Sequence, residues 1–176
     1  MTSQQRIKEA QSNFKRYLDE GFIRKEKNET AKQMYLNNTQ LSLRVAEKLM
    51  REDLKPYLWV IVCSYYSMFY MANALLLHLG FKTSDKLVHK VTGDALFVLA
   101  LDKLKRELLD EYEDTRDDAL EISSTKAEEI LDSYDYEKDK RSRFQYEMTE
   151  SVKKAKAETS LRRAKEFVFE LRKLMG

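Results

Sequence analysis

From Pro56 to Phe81 the chain runs through 26 consecutive residues without a formal charge, in a sequence where 35% of residues are Asp, Glu, Lys or Arg. As a helix rising about 1.5 Å per residue, such a run is long enough to cross a bilayer or the middle of a helical domain. Ser64, Tyr65, Tyr66, Ser67, Tyr70, Asn73 and His78 lie within it. In a membrane these hydroxyls, this amide and this imidazole would each need a partner at depth. The run therefore predicts a buried central helix wrapped by others, with no membrane span.

The rest of the composition agrees. Four Gly and one Pro in 176 residues make up about 3%, against a usual share of roughly 12%, which argues against a hairpin-rich β protein. The chain is long enough for one hydrophobic core, and the expected fold is an all-α, up-and-down bundle of five to six helices. Residues 1–176 read as one domain, with an extra helix over 1–20 and a bundle core over 30–175. The 32 basic and 30 acidic side chains produce no overall field toward a polyanion, so any such binding must be local. Cys63 stands alone, which excludes an internal disulfide, and with no apolar leader at the N-terminus the sequence suits the cytoplasm.

Apolar spacing places the other helices. Ile7, Ala10, Phe14 and Leu18 predict a first helix before Gly21, and Met34, Leu41, Val45 and Leu49 a second before Pro56. Pro56 suits the first turn of the central helix, and Gly80 a left-handed cap at its end. The apolar stretch from Leu87 to Leu109 is expected to bend or break at Gly93. Residues 111–124 read as a frayed helix end or exposed loop, and Thr125 with Glu128 as a capping box for a new helix. That helix would carry Ile130, Tyr134, Glu137, Arg141, Phe144 and Met148 on one stripe. A last helix carries Ala157, Leu161, Ala164, Val168, Leu171 and Met175 on one face.

The chain has no Gly-rich phosphate loop, no paired Cys, no Gly-x-Ser-x-Gly elbow and no His-Glu-x-x-His helix. No cofactor or metal site is expected. Arg141 in an apolar stripe needs either a carboxylate from a neighbouring helix or an anionic ligand, since a guanidinium keeps its charge. Lys138, Lys140, Arg141, Arg143 and Tyr146 would suit single-stranded RNA, with the cations on the backbone and the ring under a base. The interleaved Asp135, Glu137, Asp139 and Glu147 favour a solvated face of i,i+4 surface ion pairs over an RNA groove.

The run Ser64-Tyr65-Tyr66-Ser67-Met68-Phe69-Tyr70-Met71-Ala72-Asn73-Ala74-Leu75-Leu76, then Gly80-Phe81-Lys82-Thr83 and His89, resembles the central helix and following loop of small prokaryotic HEPN-domain proteins. The likeness extends through Arg141 to the last helix. It implies a helical bundle, frequently a homodimer, related to ribonucleases of toxin–antitoxin and defence systems and often paired with a minimal nucleotidyltransferase. The family's Arg, small polar residue and spacing correspond to Arg141 and Ser142, while Tyr146 stands where the family has its catalytic His. An unperturbed phenol titrates near 10 and is a poor general base at neutral pH.

The sequence thus predicts a HEPN-like module, homodimeric, that binds a nucleotide, RNA or a nucleotidyltransferase-type partner through a groove near Arg141. Arg141 and Tyr146 are its candidate catalytic pair. Arg143, Ser142, Tyr66, Asn73 and His89 are its candidate ligand contacts, with core packing as the alternative for the tyrosines. The competing readings are a metal-independent endoribonuclease, the toxin of a toxin–antitoxin pair, and a helical subunit that serves association alone.

Overall fold

The computed structural model describes residues 3–132 and 149–176. In chain order these form α1 (Ser3–Asp19), β1 (Ile23–Lys25), α2 (Glu29–Leu49), α3 (Tyr57–His78), β2 (Phe81–Thr83), α4 (Val88–Leu99), α5 (Arg106–Asp132) and α6 (Glu150–Lys173). The fold is an all-α bundle with one two-stranded antiparallel ribbon among the described residues.

Helix α3 is the uncharged run, and it is the centre of the bundle, packed by α2, α4, α5 and α6. Pro56 sits one residue before its first turn with φ −78°, close to the helical value, so its ring pre-sets the start. All seven residues from Met71 to Leu77 are buried, so here the helix is enclosed on every side. Among the described residues it is the one helix long and apolar enough to cross a bilayer, and most of it is buried against its neighbours. Each fully buried Leu of this kind contributes about 1.5–3 kcal/mol. Gly80 ends the helix at φ +87°, a conformation glycine adopts without a Cβ penalty.

Other helices differ from their sequence patterns. Helix α2 is capped by Asn28, whose side chain accepts from the Ala31 amide at 2.9 Å. It turns Met34, Leu41 and Val45 outward, however, and packs through Thr39, Ala46, Leu36, Leu43 and Leu49. In α1 the buried residues are Ala10 and Tyr17, with Leu18 exposed. Gly93 neither bends nor breaks its helix: α4 runs through it, and the chain turns instead between Ala100 and Lys105. The acidic stretch 111–124 is continuous helix within α5, which also passes Thr125 without a new start. Helix α6 does follow its apolar stripe, burying Ala157, Leu161, Ala164, Val168 and Leu171 behind a Thr149 cap.

The ribbon pairs Ile23 with Thr83, Arg24 with Lys82 and Lys25 with Phe81. The Ser84 amide then donates to the Phe22 carbonyl at 2.9 Å, which fixes where the chain enters α4. At that entrance Leu87 has φ +50°, a left-handed backbone that costs a non-glycine residue roughly 1 kcal/mol. His89 follows two residues later.

Candidate functional site

Helices α1, α4 and α5 and the Leu87 turn border an open cleft of about 750 Å³, within the range of small-molecule sites. Arg6, His89, Lys90 and Arg116 contribute its basic groups, and Glu9, Asp85, Asp94 and Glu113 its acidic ones.

The inner wall is an ion network. Asp94 is fully buried; its Oδ1 forms an ion pair with Arg6 Nη2 at 2.7 Å, while its Oδ2 accepts from the Asn13 amide and the Tyr17 hydroxyl, each at 3.0 Å. Arg6 also donates to Glu113 at 2.6 and 3.0 Å while its guanidinium lies 4.5 Å from the Phe97 ring centre. Burial works against the Arg6 charge, but Glu113 and then Asp94 outweigh it and lock the side chain in its cationic form. In the same way burial pulls the Glu113 carboxyl upward, yet the Arg6 and Arg116 guanidinium groups hold it below its ordinary value. One guanidinium thus ties α1 to both α4 and α5. Its Nη1 is buried with no hydrogen-bond partner among the described residues.

Arg116 reaches the cleft from α5, pairing with Asp117 at 2.8 Å and with Glu113 at 3.3 Å. His89, which lines the same cleft, is half-buried on the first turn of α4. Its Nδ1 lies 2.6 Å from the hydroxyl of Tyr65, which comes from the core face of α3. Burial, and after it the Arg116 charge, hold the imidazole below its usual 6.5, so it is neutral at pH 7. Burial above all drives the Tyr65 phenol far above its usual value, so it keeps its proton. A neutral imidazole against a neutral phenol has two compatible arrangements. When the phenol donates to Nδ1, Nε2 carries a proton and is a donor; when Nδ1 donates, Nε2 is a base.

From His89 a row of half-buried rings leads away along α3. Tyr66 lies 6.0 Å from His89 between ring centres, Tyr70 lies 5.9 Å from Tyr66, and Tyr35 of α2 stacks on Tyr70 at 6.2 Å. Lys82 and Asp85 are near enough to act on the Tyr35 phenol, although burial is the main force raising its pKa. The row follows from sequence spacing, since Tyr66 and Tyr70 are one helical turn apart on α3.

Of the residues singled out by sequence, the structure brings Tyr66 and His89 together. Asn73 instead serves the fold. It is buried, donates to the Phe69 carbonyl at 2.9 Å and accepts from Thr83 at 2.8 Å, so it ties β2 to α3. Arg141, Ser142, Arg143 and Tyr146 lie outside the described residues. Sequence reasoning missed Arg116 because residues 111–124 read as a frayed helix end or exposed loop, and it did not single out Arg6 of α1 or the buried Tyr65 of α3 that meets His89. The usable signal was Thr115-Arg116 amid Glu113, Asp114, Asp117 and Asp118, an arginine among carboxylates one to three residues away. Among the described residues no group of three His, Cys, Asp or Glu side chains could hold a metal ion. Comparison with protein-family models, curated proteins and solved structures finds no match to this chain.

Proposed function

We propose that this chain is a HEPN-like helical module that binds RNA or a nucleotide, taking a phosphate in the cleft at Arg116 and His89. The observation that carries the reading is the Tyr65–His89 pair. It sets a hydrogen-bonded imidazole in the same cleft as the Arg116 guanidinium, at the head of a half-buried aromatic row. A phosphate oxygen matches the paired donors of a guanidinium, and Nε2 of His89 adds a third donor in one arrangement. Tyr66, Tyr70 and Tyr35 would stack bases without reading their identity. The homodimer, the nucleotidyltransferase-type partner and the cations of Arg141 and Arg143 belong to this reading through the sequence resemblance.

The test is fluorescence anisotropy with a labelled single-stranded oligoribonucleotide. The reading expects Arg116→Gln to weaken binding by about tenfold or more, the effect of one charge-assisted hydrogen bond. Tyr66→Ala should also weaken it, with helicity unchanged in both variants. Wild-type protein that binds neither the oligonucleotide nor a mononucleotide overturns the reading.

A second reading, endoribonuclease activity, is favoured by the low His89 pKa. Neutral Nε2 could accept the proton of a ribose 2′-hydroxyl as that oxygen bonds to phosphorus and the 5′-oxygen leaves, regaining a proton from the imidazolium. Arg116 would balance charge on the five-coordinate phosphorus. Cleavage of the same oligonucleotide that is lost in His89→Ala supports this step; intact RNA between pH 6 and 9 removes it.

A further inference from the structure

We infer that Gly93 is a positioning residue of the cleft: the room left by its missing side chain is where the Arg116 guanidinium lies. Gly93 stands in the middle of α4, where alanine would favour the helix by about 1 kcal/mol. No positive φ and no helix break explains a glycine there. A Cβ at this position would meet Arg116 Nη1 at 2.9 Å, closer than such atoms approach. Its next neighbours, Tyr112 Cε1 at 3.7 Å and Glu113 Oε1 at 3.8 Å, are at ordinary contact distance. The helix packing therefore admits a methyl group, and only the guanidinium does not.

That asymmetry separates folding from site geometry. The atom that must yield is the far end of a flexible side chain, so Gly93→Ala should fold as well as the parent or better while pushing the Arg116 head group out of place. Stability is given up at this position for the location of one charge, the kind of exchange seen where function opposes stability. The inference rests on and deepens the phosphate-binding reading, because it names what holds the guanidinium in the cleft it shares with His89.

The test needs no ligand. His89 feels the Arg116 charge, and His78, exposed at the end of α3, is an internal control. Both imidazoles are titrated by NMR in wild type, Gly93→Ala, Arg116→Gln and the double variant. The other charged groups facing the cleft, Arg6, Glu9, Asp85, Lys90, Asp94 and Glu113, are the same in all four, as is the Tyr65 phenol.

The expected result is a melting temperature in Gly93→Ala equal to or above wild type, with the His89 pKa raised toward its ordinary value. Arg116→Gln should raise it too, and Gly93→Ala should add nothing in that background. An unshifted His89 in Gly93→Ala, an additive double variant, or a Gly93→Ala protein that fails to fold each overturns the inference. Oligoribonucleotide binding, measured alongside, keeps the two ideas apart. A His89 shift in a protein that binds no RNA sustains the positioning role and rejects the binding reading.

Discussion

Removing the Asp94 carboxylate tests the ion network most severely. Asp94→Ala deletes one ion pair and two hydrogen bonds from a fully buried position. Breaking a buried pair by removing one partner costs about 3–5 kcal/mol when the survivor is left uncompensated. Here Arg6 keeps Glu113 at 2.6 Å, so the loss on that side is smaller. Asn13 is half-buried and can turn to water. The Tyr17 hydroxyl is the group left without an acceptor, and an orphaned buried donor costs roughly 1–3 kcal/mol. Together these give a loss of about 3 kcal/mol, read as a lower urea midpoint with an unchanged denaturant slope. Tyr17→Phe alone should cost about 1 kcal/mol, and the double variant less than the sum, because removing the donor removes the orphan. A loss under about 1 kcal/mol in Asp94→Ala, or strict additivity, would refute the network as the clamp of α1.

Four further outcomes are tied to single features. Leu87→Gly should raise the melting temperature, since it relieves a left-handed φ of +50° at a side chain that is 63% exposed. Toward alkaline pH, burial and then Asp94 raise the Tyr17 phenol from 10.0 to about 12. A raised folded pKa means stability is intact below 10 and declines through about 12, and Tyr17→Phe should flatten that decline in urea melts. Toward acid pH the depressed Glu113 value means stability present above 4.5 is lost as the pH falls below it, more steeply than in Glu113→Gln. Leu41→Asn should cost less than about 0.5 kcal/mol, whereas Leu75→Ala should cost about 2–5 kcal/mol in the same melts.

Leu41 and Leu75 mark the boundary between what was legible in the sequence and what was not. The uncharged run around Leu75 could be only a buried helix or a membrane span, and its hydroxyls and amide decided between them. Helix α6 carries one unambiguous stripe. Helix α2 carries two interleaved apolar rows, Met34-Leu41-Val45 and Leu36-Leu43-Ala46-Met50, and periodicity alone does not say which row meets α3. Gly93 looked like punctuation because glycine usually is; its reason lies in a side chain 23 positions away. The ribbon is three residues per strand, too short for any alternation to register.

For the candidate site, the resemblance pointed first to Arg141 and Tyr146, which lie outside the described residues; of the others, Asn73 is buried within the fold and Tyr66 and His89 lie 6.0 Å apart between ring centres. The resemblance has no counterpart of Arg116, and the surrounding carboxylates, the one local signal, describe a surface ion pair as readily as a cleft residue. The partner that gives Arg116 its place is a glycine on another helix.

Phosphate binding in the cleft between α1, α4 and α5, as proposed, brings His89, Arg116 and Tyr66 to one ligand. The most direct measurement is a chemical-shift titration of isotopically labelled protein with a short single-stranded oligoribonucleotide, following His89 Nε2, Arg116 Nε–H and the Tyr66 ring. These three signals are expected to move together and saturate at one concentration. Shifts that leave His89 and Arg116 unmoved and fall on other surfaces, such as the Met34–Val45 face of α2, would contradict phosphate binding in this cleft.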